Sequence, residues 1–194
     1  MRGWSSRLLR ENRGVTIVEF AIVAPCLMLI MMGLLSLGLR AYIGIQLQGA
    51  LEQAARQVTV GTTTTTAMVT ASVKAQVNRI MPRASVTVVP TSYYDFAHVG
   101  KPEPITTDTA PLGTYNTGDC FQDLNGNGTW DADAGSSGTG GSDDIVYYTA
   151  TLTYADPLPV KRLLGFPATT TVSGTTMMKN QPYASQSEPA IVCS

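Results

Sequence analysis

The longest uninterrupted hydrophobic stretch in the chain is Phe20 to Leu39 (FAIVAPCLMLIMMGLLSLGL), 20 residues without a charge. At ~1.5 Å per residue a helix of that length reaches about 30 Å, the thickness of a bilayer's hydrocarbon core. A helix apolar on every face for so long is a membrane span rather than a core helix in a protein this small. Past Arg40 the pattern turns one-sided. Leu47, Leu51, Ala54 and Val58 recur at i, i+4, i+7 and i+11, set against polar Gln46, Glu52, Gln53, Arg56 and Gln57. That spacing predicts an amphipathic continuation of the helix to about Gly61, its stripe packing chiefly on the protein's own domain. Gly44 and Gly49 weaken it, each by up to ~1 kcal/mol against Ala.

Thr62–Thr66 reads as a polar linker. Val69, Val73, Val77 and Ile80 then predict a short second helix, ended near Met81-Pro82. Arg83–Tyr94 is rich in β-formers, with Pro90 expected to interrupt it. Lys101–Gly113 reads as proline-rich loop. Ile145–Tyr154 is the strongest strand pattern, with Val146, Tyr148, Ala150, Leu152 and Tyr154 on one face. Val160–Phe166 suggests one or two helical turns, and Ala168–Met178 a last strand. The expected fold is α+β: a long N-terminal transmembrane helix, its amphipathic extension, a short helix and a small antiparallel sheet of about three strands. The expected divisions are a basic leader at 1–14, the span at 15–40, the extension at 41–61 and an α+β domain at 62–194. A Gly/Asp-rich loop occupies 119–144.

Charge gives this layout a direction. Arg2, Arg7, Arg10 and Arg13 precede the span against Glu11 alone, whereas ten acids and only Lys101 lie between Asp95 and Asp156. The positive-inside rule then leaves 1–14 in the cytoplasm and exports the chain beyond Arg40. A net charge of −1 with no basic patch argues against a nucleic-acid partner. A removable secretory signal has a shorter apolar core, ~7–15 residues, followed by a small-x-small cleavage site, and no convincing one follows here. In an oxidising compartment Cys120 and Cys193 are natural disulfide partners; two unrelated thiols are the bland alternative. Glu19 stands at the edge of the span, where a charge drawn to mid-membrane costs ~2–3 kcal/mol or more. A passive anchor gains nothing from it. A newly exposed α-amino group just upstream, on a neighbouring subunit, would satisfy it.

The residues Gly14-Val15-Thr16-Ile17-Val18-Glu19-Phe20 resemble a type IV prepilin signal, a basic leader ending in Gly and followed by an apolar helix with Glu at its fifth position. The wider run GVTIVEFAIVAPCLMLIMMGLL, followed by ALEQAARQ, is similar to the TadE-like pseudopilins of tight-adherence (Tad/Flp) pilus systems. So are CFQDLNGNGTWDADAG, GGSDDIVYYTATLTYADPLPVKRLLGF and MMKNQPY, in that order between Arg13 and Tyr183. TadG-like proteins share a similar anchor but are usually longer. The resemblance implies cleavage by a prepilin peptidase after Gly14, with Val15 as the mature N-terminus. It gives Glu19 the role of pairing with another subunit's N-terminus, and Phe20 the aromatic position that follows. It also implies a minor, non-enzymatic subunit in the inner membrane, with a periplasmic C-terminal domain. Its partners would be other pilins and pseudopilins, the inner-membrane assembly platform and membrane lipid. The competing reading is an uncleaved anchor displaying a calcium-binding or adhesive domain.

Calcium enters through one motif. Asp123, Asn125, Asn127, Thr129 and Asp131 follow the start of a calcium loop, oxygens at alternate positions with Gly128 permitting the turn. The twelfth position is Ala134 instead of a bidentate Glu, leaving Asp133, Asp143 or Asp144 as substitutes. The plain alternative is an Asx- and Gly-rich turn leading into a Gly135–Ser142 linker. Catalytic patterns are poor: His98 has no cysteine or serine motif around it, and neither a nucleophile elbow nor a P-loop is present. The expectation is that the protein is not an enzyme.

Overall fold

The computed structural model describes residues 15–59, 66–181 and 184–194, excluding the side chains of Val15 and residues 57–59. The expected leader with Gly14, the Thr62–Thr65 run, Gly61, the Val58 side chain and Tyr183 therefore lie outside the described residues. Helix α1, Val15–Thr59, holds the span and its extension in 45 residues, with Pro25 inside it. Among the described residues it is the one helix long and apolar enough to cross a membrane.

The two parts of α1 present opposite surfaces. Up to Leu37 most of its large apolar side chains are exposed, Phe20 at 67% and Leu34 at 65%, so that surface needs lipid or other helices to cover it. From Ile43 onward the stripe is buried: Ile43, Leu47, Ala50, Leu51, Ala54 and Ala55. The chain divides accordingly into two compact units. One comprises the helix up to Tyr42 together with residues 156–169, and the other Ile43–Ala155 with Thr170–Ser194.

In the second unit α2, Thr66–Val77, buries Val69, Val73 and Val77 on one face. It ends three residues short of Ile80, which sits half-buried in a turn where the Ile80 and Met81 amides both bond the Val77 carbonyl. Pro82 disfavours helical geometry at the residue before it, so the chain winds down early. Strand β1, Ser85–Tyr93, runs unbroken through Pro90, which is buried. The expected interruption is thus absent, for a local reason. The Pro90 carbonyl accepts from the Gly138 amide, so the missing N–H faces the side where pairing begins only at Thr91.

Strand β1 pairs antiparallel with β5, Ile145–Ala155, from Ser85 opposite Thr153 to Tyr93 opposite Ile145. Val86 faces Leu152, and Val88 faces Ala150, across the buried side. The two-residue β4, Ser136–Ser137, and β6, Thr169–Lys179, complete the sheet in the order β4-β1-β5-β6. The extension of α1 lies against β6. A Cβ on Gly174 would stand 2.8 Å from Gln48 Oε1, the tip of a flexible side chain, and 3.7 Å from Leu47 Cγ, so a larger residue there would displace the Gln48 amide. The Gln48 amide also donates to the Thr175 carbonyl at 2.9 Å.

A second sheet, β2 (Ile105–Thr107), β3 (Cys120–Asp123) and β7 (Ala190–Cys193), is ordered β2-β3-β7 and has no counterpart in the sequence reading. The supposed Gly135–Ser142 linker is likewise tied down. It contains β4, and the Asn180 amide donates to the carbonyls of Thr139 and Gly141 at 2.8 and 2.7 Å.

In the first unit, residues 156–169 form a closed loop around α3, Val160–Leu163. The Asp156 amide donates to the Ala168 carbonyl at 2.8 Å, and Lys161 pairs with the Asp156 carboxylate at 2.9 Å.

Candidate functional site

Two places gather the residues that the sequence singles out: the first described residues of α1 and the β3–β7 region. Val15 is the first described residue of α1, and Glu19 and Phe20 follow on it as exposed residues. Around Glu19 stand Ile17, Val18, Phe20 and Ile22, all exposed large hydrophobics. Among the described residues no salt bridge reaches this carboxylate. A charge set in so apolar a band calls for a positive group from outside the helix, because low dielectric penalises an unpaired one.

In the second place, Cys120 and Cys193 are joined by a disulfide across the directly opposed positions of β3 and β7, with Cα atoms 4.0 Å apart. The bridge closes a separation of 73 residues. Beside it the Asp119 carboxylate is fully buried and well provided with donors. Its Oδ1 accepts from the Thr109 amide and hydroxyl at 2.7 Å each, and its Oδ2 from the Asn116 amide at 2.8 Å. Led by the Thr109 amide, these donors hold the Asp119 carboxyl below the usual carboxylate range. The free thiol is Cys26, exposed on α1.

The Asp123–Asp131 loop curls on itself. Asp123 accepts from the amides of Gly126, Asn127 and Gly128, and Asn127 Oδ1 accepts from the Thr129 amide and hydroxyl. The side-chain amides of Asn125 and Asn127 both donate to Asp131 Oδ2, and these bonds lower the Asp131 carboxyl, Asn125 contributing most. This is an Asx-turn network in which side-chain oxygens satisfy the turn's own N–H groups.

One residue that sequence reasoning missed organises the loop from inside. Glu103 is 2% exposed, and its Oε1 accepts from the Leu124 amide at 2.9 Å while Oε2 accepts from the Asp131 amide at 3.1 Å. Burial raises its carboxyl above the usual range, and the amides from Leu124, Asp131 and Asn125 partly offset that. Trp130 adds an indole N–H to the Glu103 carbonyl at 3.0 Å and stacks on Tyr115, centroids 4.9 Å apart. The available signal was a carboxylate between two prolines, Pro102-Glu103-Pro104.

The three acids considered as a twelfth ligand are engaged elsewhere. Asp133 accepts from the Tyr93 hydroxyl, Asp143 pairs with Lys179 at 2.9 Å, and Asp144 accepts from Gly141 and Gln186. Ala134 is buried, its amide donating to the Lys101 carbonyl. Among the described residues no three His, Cys, Asp or Glu side chains come together as a metal cluster. His98 closes a 3-10 turn capped by Asp95, with Nδ1 2.7 Å from the Asp95 carboxylate.

Comparison with known proteins adds a finding for α1. Residues 14–56 match the family model described as TadE-like protein. The match covers the span and the buried stripe up to Arg56, so this segment of the chain is similar to TadE-like proteins. No curated protein and no solved structure matches the chain.

Proposed function

We propose that this chain is a minor, pseudopilin-like subunit acting in the assembly or export of Tad/Flp-type adhesive pili, and not an enzyme. Support comes from the coincidence of two features in one helix: the TadE-like match over 14–56 and an exposed carboxylate at Glu19. In this reading a prepilin peptidase cuts between Gly14 and Val15, freeing an α-amino group. Glu19 of one subunit then meets that amine on another, and the surrounding exposed apolar band packs on neighbouring pilin helices and lipid. The protein sits in the inner membrane with its N-terminus cytoplasmic, following the arginines before the span. Its C-terminal domain is periplasmic, an orientation that also suits the Cys120–Cys193 disulfide.

N-terminal sequencing of the protein extracted from membranes of cells with an active peptidase tests this. The expected mature chain begins at Val15, and a chain still carrying the leader overturns the processing step. Glu19→Ala separates the proposal from an uncleaved anchor carrying a calcium-binding or adhesive domain. Loss of surface pili with the protein still in the membrane fits a subunit, whereas unchanged piliation fits an anchor. For the Asp123–Asp131 loop the self-satisfied network supports a structural turn over a calcium site.

A further inference from the structure

We infer that the loop between β5 and β6 docks on the surface of the bilayer that α1 crosses. In that position Leu163, Leu164 and Phe166 enter the boundary between headgroups and acyl chains, and Arg162 meets lipid phosphate. The inference rests on α1 lying in a membrane, and neither on cleavage at Gly14 nor on pilus assembly.

The loop is built, not frayed. After α3, Gly165 takes a positive φ of 77°, and the Phe166 amide donates back to the Lys161 carbonyl at 2.8 Å. This is a Schellman-type helix end, a motif in which the residue after the glycine ordinarily packs back on the helix. Here it does not. Phe166 is 62% exposed, with Leu163 at 68% and Leu164 at 58%. Three large apolar side chains held outward on a hydrogen-bonded, ion-paired loop need a cover.

Placement points to lipid as that cover. Residues 156–169 group in one compact unit with α1 up to Tyr42, the part of the helix containing the uncharged run Phe20–Leu39. The strand that follows agrees: β6 runs beside α1 in the same sense, Val172 next to Gly44 and Gly174 next to Leu47 and Gln48. Two strand residues advance ~6.6 Å and four helical residues ~6 Å, so the two elements keep pace. By that pace the first residue of β6, Thr169, falls within a turn of Arg40, where the span ends. Arg40 and Tyr42 are residue types that favour a membrane–water interface, and exposed Arg162 adds a second cation at that level. Apolar tips beside cations are how interfacial elements settle ~5–10 Å into a bilayer with anionic lipids.

The full chain carrying Cys26→Ser leaves Cys120 and Cys193 tied in their disulfide, so a single new cysteine is labelled alone. Leu164→Cys bearing an environment-sensitive fluorophore is reconstituted in phosphatidylethanolamine/phosphatidylglycerol vesicles, with Leu34→Cys as the control inside the span. The expected result at position 164 is a blue-shifted emission that loses most of its intensity to lipids spin-labelled near the headgroup, and less to lipids labelled deep in the chain. Position 34 shows the reverse order. Adding Arg162→Glu weakens the quenching at 164 and leaves 34 unchanged. If 34 is quenched while 164 stays water-exposed, the loop does not dock. A blue shift at 164 that ignores lipid quenchers and grows with protein density overturns it as well, in favour of a second copy as the cover. No quenching at 34 overturns both this inference and the membrane reading beneath it.

Discussion

In the four-stranded sheet the inward positions of β1 and β5 are Val86, Val88, Val146, Tyr148, Ala150 and Leu152, with α2 packed on β1, and Leu47 and Leu51 of α1 are buried as fully. The three-stranded sheet buries Phe121 but otherwise surrounds itself with Asp119, Asp123 and Glu103, and it is bridged by Cys120–Cys193. One sheet is held by apolar area removed from water, worth ~25 cal/mol per Å². The other is held by carboxylates that saturate backbone N–H groups and by a covalent link. Charged side chains are buried only with partners, so the second arrangement depends on each donor being in place.

The largest effect should come from attacking the apolar side. Leu47→Ala with Leu51→Ala removes two fully buried side chains, each loss costing about 2–5 kcal/mol. Thermal unfolding should drop by many degrees and take both sheets with it. Next comes the bridge: Cys120→Ser with Cys193→Ser removes a constraint over 73 residues, on the order of 4 kcal/mol in the chain-entropy account. Hydrogen exchange should speed up in β3 and β7 while β5 amides stay protected. Equal exposure of β5 would mean that the two sheets open as one unit.

A smaller effect isolates the buried carboxylate. Asp119→Asn breaks its donor set, costing about 1–3 kcal/mol at neutral pH. Because the folded pKa of Asp119 is lowered, its stabilisation is present above the ordinary carboxylate value of ~3.9 and is lost as pH falls through the folded one. The variant should therefore show a flatter acid limb in a stability–pH profile. Glu103 acts with the opposite sign. Its raised pKa makes its contribution most favourable below ~4.3 and less so as pH rises through the folded value. The smallest expected effect is none. Calcium raised to about 10 mM, beyond the ~10⁻⁴–10⁻³ M range of weak extracellular modules, should leave the melting temperature of the purified full-length protein unchanged. A rise of several degrees would sink the turn reading of the Asp123 loop.

The same contrast decides how much could be read in advance. Apolar burial leaves a period, and the stripe of α1, the Val69–Val73–Val77 face of α2 and the alternation of β5 were all legible from spacing. Polar burial leaves none. The strands β2, β3 and β7 are three or four residues long and surrounded by Pro, Gly and Asn, and nothing in their order announces a sheet. Pro90 misled for a different reason: a rule about missing donors depends on which side of the strand needs one, and that is a tertiary fact. At the candidate site the sequence supplied Glu19, Phe20 and the cysteine pair by residue type and position. Glu103, 20 residues before Asp123 in the numbering, reaches its loop only through the fold.

Gly174 has a mechanical consequence. Its absent Cβ would stand 2.8 Å from Gln48 Oε1, so a side chain there would push aside the amide that bonds the Thr175 carbonyl across the seam between β6 and the buried part of α1. Tension along that stretch of helix therefore has a route into an edge strand of the sheet, through a hydrogen bond that the glycine leaves room for.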